Sequence, residues 1–229
     1  MASLVDSIKT VVCDHHPFVK IAILAVLAMF SSQVLLDKSV DPMVQNIVHW
    51  GIIFFLFGYA LECVHHNLSE NEEILPPILN PVPALLTGLK GLVALFPYIA
   101  IIYFGMAKIQ PALTFEPWIN WAIYIVALAF VASPFLVAAL RFCKKLNIID
   151  AYKIIKICAV LGDFVVAELF MVVLFALAIG IIFVPIGSAI KIMFNYGLVF
   201  DYYVCFASVF VVCCALQYMA QFHFETADE

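Results

Sequence analysis

Long blocks of apolar residues dominate the pattern along this chain, and short polar stretches separate them. A helix that crosses the hydrocarbon core of a bilayer needs roughly 20 predominantly apolar residues, and several of the blocks approach that length. No block alternates apolar and polar residues as the strands of a membrane barrel do. The pattern therefore predicts an all-α integral membrane protein with six transmembrane helices, at residues 18–36, 47–64, 96–106 with part of the preceding segment, 118–140, 159–184 and 202–219.

Prolines and glycines interrupt three of the predicted spans. The third is the most interrupted, and it admits two interpretations: one span that includes part of the preceding segment, or a short helix on the membrane surface followed by a span that begins near Leu95. In the fourth span Pro134 predicts a kink, and Ser133 is placed to bond the carbonyl that the proline frees. Pro185 and its neighbouring glycines predict that the fifth span kinks or ends near its outer end.

Three short segments share one pattern: two apolar residues, Asp or Thr, a small residue, one apolar residue and Lys. They are LVDSIK at 4–9, LLTGLK at 85–90 and IIDAYK at 148–153. In each, apolar positions continue at helical spacing, which suits an amphipathic helix that lies in the membrane interface. We therefore expect a single polytopic membrane domain over 1–229, in which an interfacial helix and two spans are repeated at 1–66, 81–141 and 147–220. The alternative is three unrelated amphipathic connectors.

Lysine and arginine are distributed unevenly between the two sides that six spans define. The side of the termini and the even-numbered loops holds 8 of these residues, with Lys20 at that end of the first span included, and the other side holds the remaining 3 of the 11. Cytoplasmic loops carry the excess of Lys and Arg in membrane proteins, so we predict a multi-pass protein of the cell membrane with both termini in the cytoplasm. Tryptophans favour the headgroup level, and all 3 fall at the opposite, outer boundary: Trp50, Trp118 and Trp121.

Composition supports a membrane protein and narrows the range of partners. Hydrophobic residues make up 66% of the chain and charged residues 12%, which is too little charge to cover a soluble domain. The net charge of −5 provides no basic surface for nucleic acid. The lipid bilayer is therefore the expected partner, with a homo-oligomer or a larger membrane complex as further options. The odd number of 7 cysteines predicts free thiols rather than a disulfide framework.

The run NEEILPPILNPVPALLTGLKGLVALFPYIAIIYF at 71–104 joins an acidic Leu-Pro stretch to an amphipathic segment and a following span. Its elements, with a later segment, are Glu72, Glu73, Leu75, Pro76, Gly88-Leu89-Lys90 and Asp150-Ala151-Tyr152. Over roughly residues 70–184 the chain resembles an uncharacterised prokaryotic family of polytopic membrane proteins, known as domain of unknown function number four thousand and thirteen. The resemblance implies a polytopic membrane fold, and it implies no particular activity, cofactor or catalytic residue.

Two polar clusters carry residue types that bind metals: CDHH at 13–16 and ECVHH at 62–66. The first two spans are predicted to be adjacent and antiparallel, so we expect both clusters on the cytoplasmic side. Zn²⁺ accepts Cys and His ligands, and haem accepts two facing histidines. The candidate ligands are Cys13, His15, His16, Cys63, His65 and His66. Neither histidine pair has the i, i+4 spacing of a helical metal site, so wetted residues at the membrane surface are the favoured interpretation and no cofactor is expected. Glu62 is likewise interpreted as solvated.

Glu168 is a carboxylate predicted to lie well inside the fifth span, with Asp163 nearer the cytoplasmic end of the same span. A charged group at that depth is costly, and it marks either a functional site or a buried partner. A structural hydrogen bond between helices is the favoured interpretation of Glu168. A role in proton or ion coupling is the alternative.

The chain has no sequence motif of catalysis: no phosphate-cradling glycine loop, no nucleophile elbow and no HExxH. We therefore expect a protein that is not an enzyme, namely a structural, accessory or membrane-organising component. A small transporter or channel around Glu168 is the first alternative. The second is a metal- or haem-binding membrane protein that uses the two His/Cys clusters.

Overall fold

The computed structural model describes residues 4–36, 39–69, 75–78, 80–109, 117–153, 157, 166–194 and 197–221. Every regular element within these ranges is an α-helix, which confirms the predicted all-α class. The helices are α1 (Leu4–Val12), α2 (Pro17–Leu36), α3 (Pro42–Leu68), α4 (Pro81–Ile109), α5 (Pro117–Lys145), α6 (Ile148–Ala151), α7 (Val166–Phe194) and α8 (Leu198–Ala220). Helices α2 to α5 each begin with a proline, because its fixed φ and missing N–H suit the first helical position.

Five of the helices contain stretches long and apolar enough to cross a membrane. These stretches are Pro17–Val34, Pro42–Leu68, Pro81–Ile109, Val126–Lys145 and Leu198–Ala220, and they overlap the first to fourth and the sixth predicted spans. In α7, a helix of 29 residues, the described residues contain the shorter apolar stretch Gly180–Met193. Residues 159–165, where the fifth span is predicted to start, lie outside the described residues. Helix length and hydropathy are those of a multi-pass membrane protein.

Helix α4 is one continuous helix of 29 residues that passes through Pro97. No break therefore separates a surface helix from a span near Leu95, and the part of this helix that crosses the membrane stays a prediction. A proline removes the N–H that would bind the carbonyl four residues earlier, which here is the carbonyl of Val93. The Tyr152 hydroxyl donates to that carbonyl at 2.6 Å, so α4 continues through Pro97 with its freed carbonyl satisfied.

Helices α5 and α7 also continue through internal prolines. In α5 the Ser133 hydroxyl donates to the Phe130 carbonyl at 2.8 Å, and this is the carbonyl that Pro134 frees. The hydrogen bond predicted for Ser133 is therefore confirmed. Helix α7 continues through Pro185 as far as Phe194, beyond the end that the sequence predicts near residue 184.

The three segments of the predicted repeat differ in structure. Residues 4–9 lie in α1, a separate helix of 9 residues. Residues 85–90 lie inside the long α4, and the third segment begins with α6, which has only 4 residues. The repeat units therefore stay a prediction from sequence.

Contacts divide the chain into two compact units, and the first comprises Met1–Leu89 and Phe175–Phe222. Within it α8 packs against α1, α2 and α3, and α2 also packs against α3. Side chains buried among these helices include Ile21, Leu24, Ala25, Tyr59, Leu61, Ala207 and Cys214. Close packing and hydrogen bonds between helices, rather than exclusion of water, hold helices together in lipid.

The second unit contains Lys90–Leu174, with the second half of α4, α5 and α6. Two tyrosines join α4 to the region of α6 in opposite directions. The Tyr98 hydroxyl donates to the Ala151 carbonyl at 2.6 Å, and the Tyr152 hydroxyl donates to the Val93 carbonyl at 2.6 Å. Because α6 is too short to be stable alone, these two bonds help to fix its position.

Candidate functional site

A buried ion pair lies where α1 turns into α2. The Asp14 side chain is 1% exposed and the Lys20 side chain 12%, and Lys20 Nζ lies 3.7 Å from Asp14 Oδ1. Both groups also bind the backbone of Leu75: its N–H donates to Asp14 Oδ2 at 2.5 Å, and Lys20 Nζ donates to its carbonyl at 2.5 Å. Buried charges are tolerated where they are both paired and hydrogen-bonded, and both of these charges meet that condition.

Tyr59 of α3 binds the next residue of the same segment. Its hydroxyl donates to the Pro76 carbonyl at 2.9 Å, and the Leu75 side chain is 1% exposed. The polar clamp is our term for Asp14, Lys20 and Tyr59 together with residues 75–76. It joins the turn before α2, the first turn of α2 and the middle of α3 to the segment that leads into α4.

The backbone of the α1–α2 turn explains how Asp14 and Lys20 come together. His16 has a φ of 54°, in the left-handed region that residues other than glycine seldom adopt. Pro17 then begins α2, and the Lys20 N–H donates to the His16 carbonyl at 3.2 Å. The chain therefore reverses within a few residues, and the carboxylate before the turn meets the ammonium in the first turn of α2.

A second buried polar pair joins α3 to α4. Thr87 Oγ1 donates to Glu62 Oε1 at 3.1 Å, and Glu62 is only 9% exposed. The interpretation of Glu62 as a solvated residue is therefore wrong. The two helices approach closely here because Gly58, one turn before Glu62, lacks a side chain: a Cβ at Gly58 would lie 1.7 Å from the Ala84 carbonyl oxygen. This close approach brings the Thr87 hydroxyl within reach of the Glu62 carboxylate.

Each of the two polar clusters of the sequence contributes one buried carboxylate with a hydrogen-bonding partner. Asp14 of the first cluster accepts from the Leu75 N–H, and Glu62 of the second accepts from the Thr87 hydroxyl. Cys63 of the second cluster is 4% exposed. The first unit therefore holds two carboxylates and one ammonium, each with a hydrogen-bonding partner.

The candidate metal ligands do not converge. Their side chains are exposed at Cys13, His15 and His16, buried at Cys63, and half-buried at His65 and His66. The rings of His15 and His16 are 4.1 Å apart, and those of His65 and His66 are 6.3 Å apart. In the part of the chain that the structure describes, no three His, Cys, Asp or Glu side chains form a group that could hold a metal ion. The metal or haem hypothesis stays a prediction, which metal analysis and a visible absorption spectrum of the purified protein test.

The intramembrane carboxylate predicted in the fifth span is located only in part. Glu168 lies on α7, whose bounds are Val166–Phe194, and its side chain lies outside the described part of the structure. Asp163 also lies outside the described residues. Its role, like that of Glu168, stays a prediction.

Sequence reasoning missed Lys20, Tyr59 and Thr87 as members of the polar groups. The role of Lys20 could have been predicted from the sequence, because a cation within an apolar span is costly and implies a partner. The roles of Thr87 and Tyr59 could not, because their partners are distant in sequence: Glu62 lies 25 residues from Thr87, and Pro76 lies 17 residues from Tyr59.

Comparisons of this chain with protein-family models, with curated proteins and with solved structures found no match. The resemblance to the uncharacterised prokaryotic family therefore stays an expectation from its motifs. The function proposed for the protein rests on the geometry of its own residues.

Proposed function

We propose that this chain is a multi-pass protein of the cell membrane with six spans and both termini in the cytoplasm, and that it acts as a structural, membrane-organising component. Five helices long enough to span a membrane support this proposal, together with α7 as the sixth span. The excess of Lys and Arg toward the side of the termini supports the orientation, 8 against 3 when Lys20 and Lys90, which lie within α2 and α4, are counted with that side.

The observation that carries the proposal is the placement of α1. One face of this helix is buried against the first unit, with Ser7 at 0% and Val11 at 1% exposure. The opposite face presents Val5, at 68% exposure, and Val12, at 38%, with the exposed Lys9 between them at helical spacing. Two apolar side chains that flank a lysine suit the boundary between acyl chains and phosphates, because a lysine stem can cross apolar surface while its charge stays at the headgroups.

The polar clamp gives this helix a fixed position relative to α2. Asp14 follows α1 directly, and Lys20 lies in the first turn of α2; both bind the Leu75 backbone. An interfacial helix on a flexible linker can move with the bilayer surface while the rest of the protein stays in place. A helix that is held rigidly moves together with the spans when the bilayer surface moves. The clamp therefore supports a role in which α1 orders the adjacent leaflet.

Reconstituted vesicles test the proposal. We expect the wild-type protein to alter the vesicle diameter at a fixed protein-to-lipid ratio, and the double variant Val5→Ser/Val12→Ser to lose this effect while it keeps the wild-type melting temperature. Val44→Ser/Ile47→Ser is the matched control, because these residues are also exposed on a helix, at 49% and 62%. A Val5→Ser/Val12→Ser protein that folds and changes the vesicle diameter as the wild type does would contradict the proposal.

Transport is the second candidate, because Glu168 lies on a helix of 29 residues and an intramembrane carboxylate marks a functional site by default. Proton or cation flux into liposomes should then fall to background in Glu168→Ala and Glu168→Gln. Flux that survives both substitutions excludes a role for this carboxylate.

A further inference from the structure

Basic side chains gather where α5 ends and α6 begins. The basic turn is our term for residues 141–153, in which four cations accompany one carboxylate: Arg141, Lys144, Lys145, Lys153 and Asp150. Arg141 and Lys145 are four residues apart on α5, so they share one face of that helix. Lys153 Nζ binds Asp150 Oδ1 at 2.5 Å, which leaves the turn with an excess of positive charge.

Arg141 carries a hydrogen-bond donor that lacks an acceptor. Its Nε is buried and has no hydrogen-bond partner among the described residues. Leaving a buried donor of a charged group unsatisfied costs more than leaving a neutral one. An arginine in this position therefore favours an anionic oxygen from outside the described chain, and its planar guanidinium suits phosphate in particular.

Asp150 does not supply the acceptor that Arg141 lacks. The hydrogen bond from Lys153 is the largest influence that holds the pKa of Asp150 below its ordinary value, and the charges of Lys153, Lys145 and Arg141 add to it, while partial burial opposes them. Its carboxylate is thus ionised and already engaged with Lys153. One engaged carboxylate neutralises one cation and leaves Arg141 and Lys145 to attract a further anion.

The backbone of the basic turn is fixed before any ligand arrives. Leu146 adopts a φ of 49° and ends α5, and the Asn147 side chain accepts from the Ile149 N–H at 3.1 Å to cap α6. The tyrosine bonds between α4 and the α6 region, from Tyr98 and Tyr152, hold the other side. A site that is ordered in advance loses less entropy when its ligand binds.

Exposed apolar groups beside the cations indicate where the anion comes from. Ile149 is 68% exposed and Tyr152 is 42% exposed, and the membrane-length stretch of α5 ends at Lys145. The cations therefore lie at the level where a spanning helix leaves the hydrocarbon, next to side chains that favour the interface. A phosphate that belongs to a lipid contacts both the cations and the exposed apolar side chains, whereas a free phosphate interacts only with the cations.

We propose that the basic turn is a binding site for the phosphate headgroup of an anionic phospholipid, in which the Arg141 guanidinium and Lys145 bind the phosphate oxygens. This proposal requires that α5 crosses the membrane, but it does not require that the protein shapes the bilayer. Failure of the vesicle-diameter experiment therefore leaves it intact, and its own failure leaves the structural role of α1 intact.

Phosphatidylglycerol titrated into the purified full-length protein in detergent, with bound lipid counted by native mass spectrometry, tests the site. We expect phosphatidylglycerol to bind at least tenfold more tightly than phosphatidylcholine. Lys145→Met should weaken phosphatidylglycerol binding about fivefold, the factor expected for the loss of one basic residue at an anionic surface. Arg141→Lys keeps the charge and loses the planar guanidinium, and it should also weaken binding about fivefold because a hydrogen bond to the phosphate is lost. Lys191→Met on α7 is the control with the same change of charge as Lys145→Met, and it should bind as the wild type does.

Three results overturn the proposal. Equal binding of phosphatidylglycerol and phosphatidylcholine excludes recognition of an anion, and equal weakening by Lys191→Met reduces it to general charge attraction. Inorganic phosphate that displaces the lipid at equal concentration assigns the site to a soluble phosphate instead. Melting curves in lipid-free detergent check folding, and if Arg141→Lys unfolds, the affinity of Lys145→Met alone decides between the proposal and its rejection.

Discussion

At the scale of single residues, the buried charged groups Asp14, Lys20 and Glu62 of the first unit each bind a particular partner far away in sequence. The motifs CDHH and ECVHH each contribute one buried, hydrogen-bonded carboxylate, Asp14 and Glu62. The familiar ligand chemistry of the histidines directed the sequence interpretation to them, and their binding of metal or haem stays a prediction. The partners were unpredictable because Leu75 is 61 residues from Asp14 and binds through its backbone, which no side-chain pattern reveals.

The Glu62–Thr87 pair provides a prediction at this scale. Thr87→Val keeps the shape of the side chain and removes the donor, which leaves a buried carboxylate oxygen without its partner. We expect the free energy of unfolding in detergent micelles to fall by about 1–3 kcal/mol. Thr10→Val is the control, because its hydroxyl donates to the Asp6 carbonyl in an exposed hydrogen bond, and we expect a change within about 0.5 kcal/mol there. Equal effects of the two substitutions would show that the buried bond contributes nothing specific.

At the scale of helices, internal prolines are tolerated because hydroxyl groups bind the carbonyls that they free. Ser133 binds the Phe130 carbonyl from within the same helix, and this local bond was predictable from the adjacent Pro134. The corresponding bond for Pro97 comes from Tyr152, 59 residues from Val93, so the sequence left open whether α4 was one helix or two. A hydroxyl group that binds a freed carbonyl within the same helix can be predicted from its spacing to the proline. A hydroxyl group that comes from a distant part of the chain cannot.

Tyr152 and Pro97 should therefore be energetically coupled. Tyr152→Phe removes the donor to the Val93 carbonyl, and we expect a loss of about 1 kcal/mol in unfolding free energy. In a Pro97→Ala background the alanine N–H supplies that donor, so Tyr152→Phe should cost less than half as much. A double-mutant cycle measures this difference, with the exposed Tyr103→Phe on α4 as the control. Additive effects of Tyr152→Phe and Pro97→Ala would contradict the assignment.

The crossing of α3 and α4 provides a second prediction about helices. Gly58→Ala places a Cβ 1.7 Å from the Ala84 carbonyl oxygen, and backbone cannot move aside as a flexible side chain can. We expect the free energy of unfolding to fall by at least the roughly 1–3 kcal/mol typical of overpacking. Gly51→Ala on the same helix is the matched control, because a Cβ there meets nothing within 4 Å, and alanine should be neutral or stabilising by up to about 1 kcal/mol. Similar melting temperatures for the two variants would place the helices farther apart.

At the scale of the whole molecule, the hydrophobic pattern predicted the helical class and the main apolar helices, because segment length and hydropathy are local properties that the bilayer imposes. The contacts within each unit were less accessible. Helix α8, the last along the chain, packs against α1, α2 and α3 at its beginning, and apolar faces of similar composition carry no mark of which partner they meet. The three segments that look alike in sequence form a separate helix, part of a long helix and a single short turn, because their surroundings differ.

Labelling of single cysteines can test how many times the chain crosses the membrane. If the chain crosses the membrane six times, the α1–α2 turn and the α5–α6 turn lie on the cytoplasmic face, and the α2–α3 connection lies on the outer face. Cys13 is an exposed natural thiol in the first of these turns, and Asn147→Cys and Ser39→Cys supply exposed thiols in the other two, in a background without the remaining cysteines. An impermeant maleimide should label Cys13 and Asn147→Cys only in inverted vesicles, and Ser39→Cys only in right-side-out vesicles. Labelling of Cys13 and Asn147→Cys from opposite faces would require an odd number of crossings between them, and it would contradict the proposal of six spans.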